Sequence, residues 1–151
     1  MSLLRYNIII EADGKDDFMI IPCIHFQGNC DEAISFYKEA LAAEVKEVNY
    51  AKDAPPDSGM DELPPNFVMH SEVIICGMNF SLTDGAERPI AGEHFSFLIN
   101  YDTEEEVKAV FEKLVVGGGV VEPLAPVFWS TLYGFVIDRF GVHWQVMVKH
   151  P

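Results

Sequence analysis

Asp138-Arg139-Phe140-Gly141-Val142-His143-Trp144-Gln145-Val146-Met147-Val148 reads as a tight turn that feeds a β-strand. Gly141 supplies the φ > 0 conformation that such turns often need. Beyond it, Val142, Trp144, Val146 and Val148 alternate with His143, Gln145 and Met147, the period of two that gives a strand two unlike faces. The design recurs in Gly77-Met78-Asn79-Phe80-Ser81-Leu82-Thr83, where Gly77 matches Gly141, Phe80 matches Trp144, Ser81 matches Gln145 and Leu82 matches Val146. An apolar-aromatic face backed by a polar one, used twice, predicts a duplicated sheet. Helices cover its apolar side and its polar side lines a cavity.

Working outward, two helical stretches repeat the same spacing. Ala33, Phe36, Tyr37, Ala40 and Leu41 form one apolar face; Val107, Val110, Phe111, Leu114 and Val115 form its copy. Asn29 with Glu32, and Thr103 with Glu106, have the spacing of capping boxes. Gly117-Gly118-Gly119 stops the second helix. Strands are expected over 18–26, with Pro22 at an edge or bulge, and over 44–50, 67–76, 77–83, 93–101, 120–124, 134–138 and 142–149. Each half then reads β-α-β-β-β. The offset between the halves changes only where the first carries a longer loop, residues 51–65, as expected of a duplication with an insertion. Residues 1–18 read as an extension with an edge strand at 6–11. Residues 19–151 read as a single α+β domain of two βαβββ modules, 19–84 and 93–149, forming a curved mixed sheet with helices outside.

Composition narrows the function classes. Hydrophobic residues make up 49% of 151, enough for a substantial core. The apolar residues never run uninterrupted for the length of a membrane span. Ten Lys and Arg against 24 Asp and Glu give a net charge of −14, a field that repels nucleic acid and anionic lipid and that serves solubility. Cys23, Cys30 and Cys76 have neither disulfide-framework density nor metal-finger spacing, and with no signal peptide evident they point to the reducing cytoplasm.

Ile21-Pro22, Phe26-Gln27-Gly28-Asn29-Cys30-Asp31-Glu32-Ala33, Phe36-Tyr37-Lys38-Glu39-Ala40-Leu41, Val68-Met69-His70, Phe128-Trp129, Tyr133-Gly134 and Asp138-Arg139-Phe140-Gly141-Val142 with Trp144 together resemble the vicinal oxygen chelate superfamily. That is the glyoxalase/bleomycin-resistance/dioxygenase fold, and the resemblance is to its PhnB-like, 3-demethylubiquinone-9 3-methyltransferase-like branch. It implies paired βαβββ modules and a homodimer. No strand-turn-helix with a Gly-rich nucleotide loop supports the methyltransferase label. Metal-dependent members place one ligand on the first and last strand of each module; the resemblance assigns those places to Pro22, Ser81, Ser96 and Gln145. Proline lacks a donor and serine is a poor ligand, so neither a divalent metal nor another cofactor is expected.

By strand alternation His94, Ser96, Leu98 and Asn100 share a face, as do His143, Gln145 and Met147. With Ser81 and the aromatic Trp129 these define the expected ligand cavity: Ser81, His94, Ser96, Trp129, His143 and Gln145. His70 and Glu72 share a side and could act as an acid–base pair or simply as an ion pair. Phe128, Trp129 and Tyr133 suit either a ligand wall or a subunit contact. Cys30, Cys23 and Cys76 read as buried thiols, His25 as structural, and Arg139 as a brace acting through Asp138. Two functions fit. One is a metal-free protein that binds a small organic molecule. The other is an enzyme (lyase, isomerase, dioxygenase or transferase) with His70, His94 or His143 as base, with or without a rearranged metal site using His94 and His143.

Overall fold

The computed structural model describes residues 19–88 and 92–150; the strand expected at 6–11 lies outside them. In chain order the elements are β1 (Cys23–Phe26), α1 (Cys30–Leu41), β2 (Glu44–Tyr50), β3 (Val68–Ile75), β4 (Met78–Asp84), β5 (Phe97–Tyr101), α2 (Glu104–Leu114), β6 (Gly119–Val127), β7 (Ser130–Ile137) and β8 (His143–Val148). They build two four-stranded sheets of one design, ordered β1-β4-β3-β2 and β5-β8-β7-β6. In each, the first strand runs parallel to the last and the other neighbours are antiparallel. The α+β expectation holds. Register also matches: Cys23 faces Ser81 across β1/β4, and Leu98 faces Gln145 across β5/β8. The outer pairs β2/β3 and β6/β7 carry bulges, which bend strands.

The helices bury the faces that their spacing implies. Ala33, Tyr37, Ala40 and Leu41 of α1 and Val107, Phe111 and Leu114 of α2 enter one shared core. Trp144 sits at its centre, with ring centroids 5.6 Å from Tyr37, 5.1 Å from Phe97 and 6.5 Å from Phe80. Thus α1, β4, β5 and β8 meet on one indole. Edge-to-face or tilted pairs of this kind each add about 0.5–1.5 kcal/mol beyond area burial.

Gly141 and Gly77 both take positive φ, 87° and 81°. Cys76 does too, at 49°, so Cys76-Gly77 forms a hairpin turn with both central residues at φ > 0. That turn exposes Cys76, and Cys23 is exposed as well, so only Cys30 is the buried thiol expected of all three. Burial, with the nearby Asp84 and Asp31 carboxylates adding, pushes the Cys30 thiol up and away from reactivity.

Helix capping separates the modules. The box in α2 is complete: Glu106 N donates to Thr103 Oγ1 (3.2 Å) and Thr103 N donates to Glu106 Oε2 (3.0 Å). The box expected in α1 does not form. Asn29 Oδ1 accepts from Gln27 N, while Glu32 pairs with Arg139. The helix start is held instead by buried Asp84, whose Oδ1 accepts from Gly28 N (2.7 Å) and Cys30 N (3.0 Å) and whose Oδ2 accepts from Val68 N (2.9 Å). A carboxylate at a helix N-terminus gains from the dipole, and a residue delivered by β4 outcompetes the local one.

Three boundaries move. β5 begins at Phe97, because residues 93–94 form a turn. β6 runs on to Val127 through Pro123 and Pro126, which an edge strand tolerates. The loop expected around Phe128, Trp129 and Tyr133 shrinks to a two-residue hairpin tip, and Tyr133 lies inside β7. Residues 51–65 contain two short 3-10 turns and are tied at the base by Ala51 N to Phe67 O (2.9 Å).

Candidate functional site

Cross-strand register sorts the polar side chains. On the first sheet Cys23, His25, Ser81 and Thr83 share a face, with Asn79 and Ile74 continuing it across β3/β4. On the second sheet Leu98, Asn100, Gln145, Met147, Tyr133 and Phe135 do the same. Ser96 joins them through its side chain: Gln145 Nε2 donates to Ser96 Oγ (2.7 Å), and Gln145 Oε1 accepts from Tyr133 OH (2.7 Å). Burial, then the Glu122 charge, raises the Tyr133 pKa, which keeps the phenol a donor to Gln145. Trp129 packs edge-on against Tyr133 at 5.5 Å, and Phe128 against Trp129 at 4.6 Å.

The six expected cavity residues are spread over this surface. His143 lines a cavity of 380 Å³ between β1, the residues leading into β5 and the turn before β8. Ser81 and His70 line a hollow of 400 Å³ on the first sheet. Ser96 lines a groove of 440 Å³ with Cys76, Met78 and Leu98. Trp129 lines a further one of 360 Å³ at the hairpin tip. Gln145 links Ser96 to Tyr133, as described. His94 sits in the exposed turn at 93–94, so strand alternation does not aim it. His70 is exposed; Glu72 accepts from Asn79 Nδ2 (3.0 Å), and among the described residues His70 and Glu72 form no ion pair. Residues 51–65 line none of these cavities.

The cavity at the β1–β8 seam holds what the sequence reading missed. His25, read as structural, lines it beside His143, and its Nδ1 lies 2.9 Å from Thr83 Oγ1. Phe95, Phe97 and Phe140 form its walls, and Arg88 borders it. Alternation puts His25 on Cys23's face of β1, but only the packing of β1 beside the start of β8 brings it to the same cavity as His143.

The turn below the cavity is built on Asp138, which is 2% exposed. Its Oδ1 accepts from Phe140 N (2.8 Å) and Val142 N (3.0 Å). Its Oδ2 accepts from Tyr37 OH (2.6 Å) and Trp144 Nε1 (2.9 Å). Burial and the Asp138 charge hold the Tyr37 phenol well above its ordinary 10, so it remains a donor. Arg139 does not brace this turn through Asp138. It pairs with Glu32 and lies over Phe36 and Phe140, 5.3 and 4.9 Å from their centroids.

A metal of the superfamily's kind would take one ligand from the first and last strand of each module, β1, β4, β5 and β8. Ser81 faces Cys23, not Pro22, whose carbonyl accepts from Ser81 N (2.9 Å). Leu98 likewise, not Ser96, faces Gln145, so the side chains at the four places are a thiol, a hydroxyl, an apolar leucine and an amide whose oxygen and nitrogen are both engaged. None is an imidazole or a carboxylate, the oxygen and nitrogen ligands that divalent ions favour. No group of three or more His, Cys, Asp or Glu among the described residues could hold an ion. The residues do not fit the metal.

Paired βαβββ units with matching register and polar sheet faces define a protein of the vicinal oxygen chelate fold. A family model described as 3-demethylubiquinone-9 3-methyltransferase matches residues 18–147, so the chain belongs to that family, the superfamily's PhnB-like branch. It is 29% identical to the protein YjdN of Escherichia coli K12 over 84% of this chain and 92% of that one. Among solved structures, PA1353 from Pseudomonas aeruginosa superposes with a TM-score of 0.75 at 28% identity, covering 89% of this chain and 100% of that one. A PhnB protein from Bacillus cereus gives 0.73 at 25%, covering 87% and 99%. The fosfomycin resistance protein FosX from Listeria monocytogenes shares the fold alone, with a TM-score of 0.63 at 11% identity over 88% of this chain and 94% of that one. No helix among the described residues is long and apolar enough to cross a membrane.

Proposed function

We propose that this chain binds a small organic molecule without a metal, in the cavity at the β1–β8 seam, and acts as a homodimer in the cytoplasm. One observation carries the metal-free part. Gln145, the best ligand candidate at the four places, has both ends of its amide committed to Tyr133 and Ser96. The cavity itself supports binding: 380 Å³ lies within the roughly 300–1,000 Å³ of small-molecule sites, and its walls are largely aromatic. Exposed Phe95 and Leu98 are apolar area that a second copy would cover.

Thermal shift with and without EDTA tests the reading, because a ligand that binds the native state raises apparent stability by mass action. Organic compounds should raise Tm equally in both buffers. A stoichiometric divalent ion in protein purified without chelator, lost on His143→Ala or Gln145→Ala, would replace this reading with a metal centre.

A second reading rests on His25. Thr83 engages one of its ring nitrogens, leaving the other for a ligand beside His143. Such a fixed imidazole suits proton transfer as well as binding. Turnover that disappears in His25→Asn or His143→Asn would favour it.

A further inference from the structure

We propose that the ligand of the seam cavity is a planar aromatic carboxylate, with Arg88 as its charge partner. This rests on the binding reading above and adds the ligand class. The chain carries 24 acidic residues against 10 Lys and Arg, yet among the described residues no Asp or Glu lines this cavity. Its ionisable and polar side chains are instead the Arg88 guanidinium, the His25 and His143 imidazoles, Gln27 and Cys23. In so negative a molecule a wall free of carboxylates leaves a locally positive mouth, and the surrounding field favours a ligand with one negative charge over one with two.

Arg88 is the group available to receive that charge. It makes no ion pair among the described residues, whereas Arg139, the other described arginine, is taken up by Glu32. A guanidinium donates two parallel N–H groups to a carboxylate, matching its planar fork. The two imidazoles and the Gln27 amide line the same cavity and add further hydrogen-bonding groups.

The remaining wall selects a ring. Phe95 and Phe97 meet edge-to-face at 5.1 Å and 84°, and Phe97 continues to Trp144 at 5.1 Å. Phe140, on the turn fixed by Asp138, lines the same cavity. An aromatic slab bordered by aromatic edges gains offset or edge-to-face contacts that an aliphatic acid of the same length lacks.

Benzoate, its neutral isostere benzamide and the saturated cyclohexanecarboxylate test this by calorimetric titration of the full chain at fixed ionic strength. Benzoate should bind at least about tenfold more tightly than either analogue, and Arg88→Gln should weaken benzoate far more than benzamide, removing the advantage of the acid. Equal affinity for benzoate and benzamide, or benzoate affinity untouched by Arg88→Gln, overturns the carboxylate assignment while the cavity reading survives. If no ring compound, benzamide included, shows binding that Val142→Trp abolishes, the cavity reading fails with it. Far-ultraviolet circular dichroism confirms that both variants are folded.

Discussion

Replacing Asp138 by Asn leaves the side-chain shape intact and removes one charge from a carboxylate that accepts four hydrogen bonds. Oδ1 receives two backbone N–H groups, so the amide oxygen of the variant must stay there and the NH2 must face Tyr37 and Trp144. The Tyr37 hydroxyl can turn and accept. The Trp144 indole N–H cannot, since it is donor only. A buried unsatisfied donor costs about 1–3 kcal/mol, and the surviving bonds lose the extra strength that a charged acceptor gives, about 1 kcal/mol each. Relief from desolvating the carboxylate offsets part of this. The net expectation is about 3–5 kcal/mol of destabilisation, a large share of the roughly 5–15 kcal/mol available to a native domain. Tyr37→Phe deletes one donor and leaves three, so about 1.5–3 kcal/mol is expected. The two changes share one carboxylate, so the double variant should cost less than their sum. Urea unfolding with unchanged slope measures all three; at this chain length Asp138→Asn should lower Tm by about 6–20 °C. If it stays within about 1 kcal/mol of the parent, or the pair proves additive, Asp138 is not the joint between α1 and the β8 turn.

Gly134→Ala places a Cβ 2.7 Å from the Phe111 ring and 2.8 Å from Leu124, and this overpacking should cost about 1–3 kcal/mol in the same assay. Titration with a disulfide reagent of native protein should show exposed Cys23 and Cys76 reacting fast and Cys30 only on unfolding; equal rates for all three would contradict the buried helix start. Stability should hold up to about pH 9, where the unfolded chain begins to release the Cys30 thiol proton that the native state keeps, and fall more steeply above about pH 10. Tyr37 is raised by burial and Asp138, and Tyr50 is pushed up to about 12 by its bond to Asp31 with burial adding. Above pH 10 the unfolded chain releases phenolic protons that the native state keeps, so alkali favours unfolding. Tyr37→Phe should flatten that fall, read as the urea midpoint against pH. Thr103→Ala should cost about 1 kcal/mol through loss of the α2 cap.

How much could be read from the chain depends on how local the deciding interaction is. Alternation in 142–148 and 77–83, the two helix faces and the Thr103 cap are statements about neighbours a few residues apart, and they hold as written. The capping of α1 reads wrongly because its acceptor, Asp84, lies 54 residues from Cys30 and wins a competition that Asn29 enters alone in the sequence. Cys76 reads as strand core because a hairpin with two residues at φ > 0 carries no Asn-Gly or Asp-Gly mark here. His94 was assigned a face by alternation, which has no meaning in the turn at 93–94.

By itself the sequence determined that the chain forms two copies of a βαβββ unit with helices on the apolar side, because period and spacing act within each element. Only the tertiary structure decided that Asp138 joins Tyr37 across 101 residues, that Gln145 is closed between Tyr133 and Ser96, and that His25 shares a cavity with His143 and Arg88. Those outcomes turn on which buried donor reaches which acceptor first, and that competition exists only once distant strands are side by side.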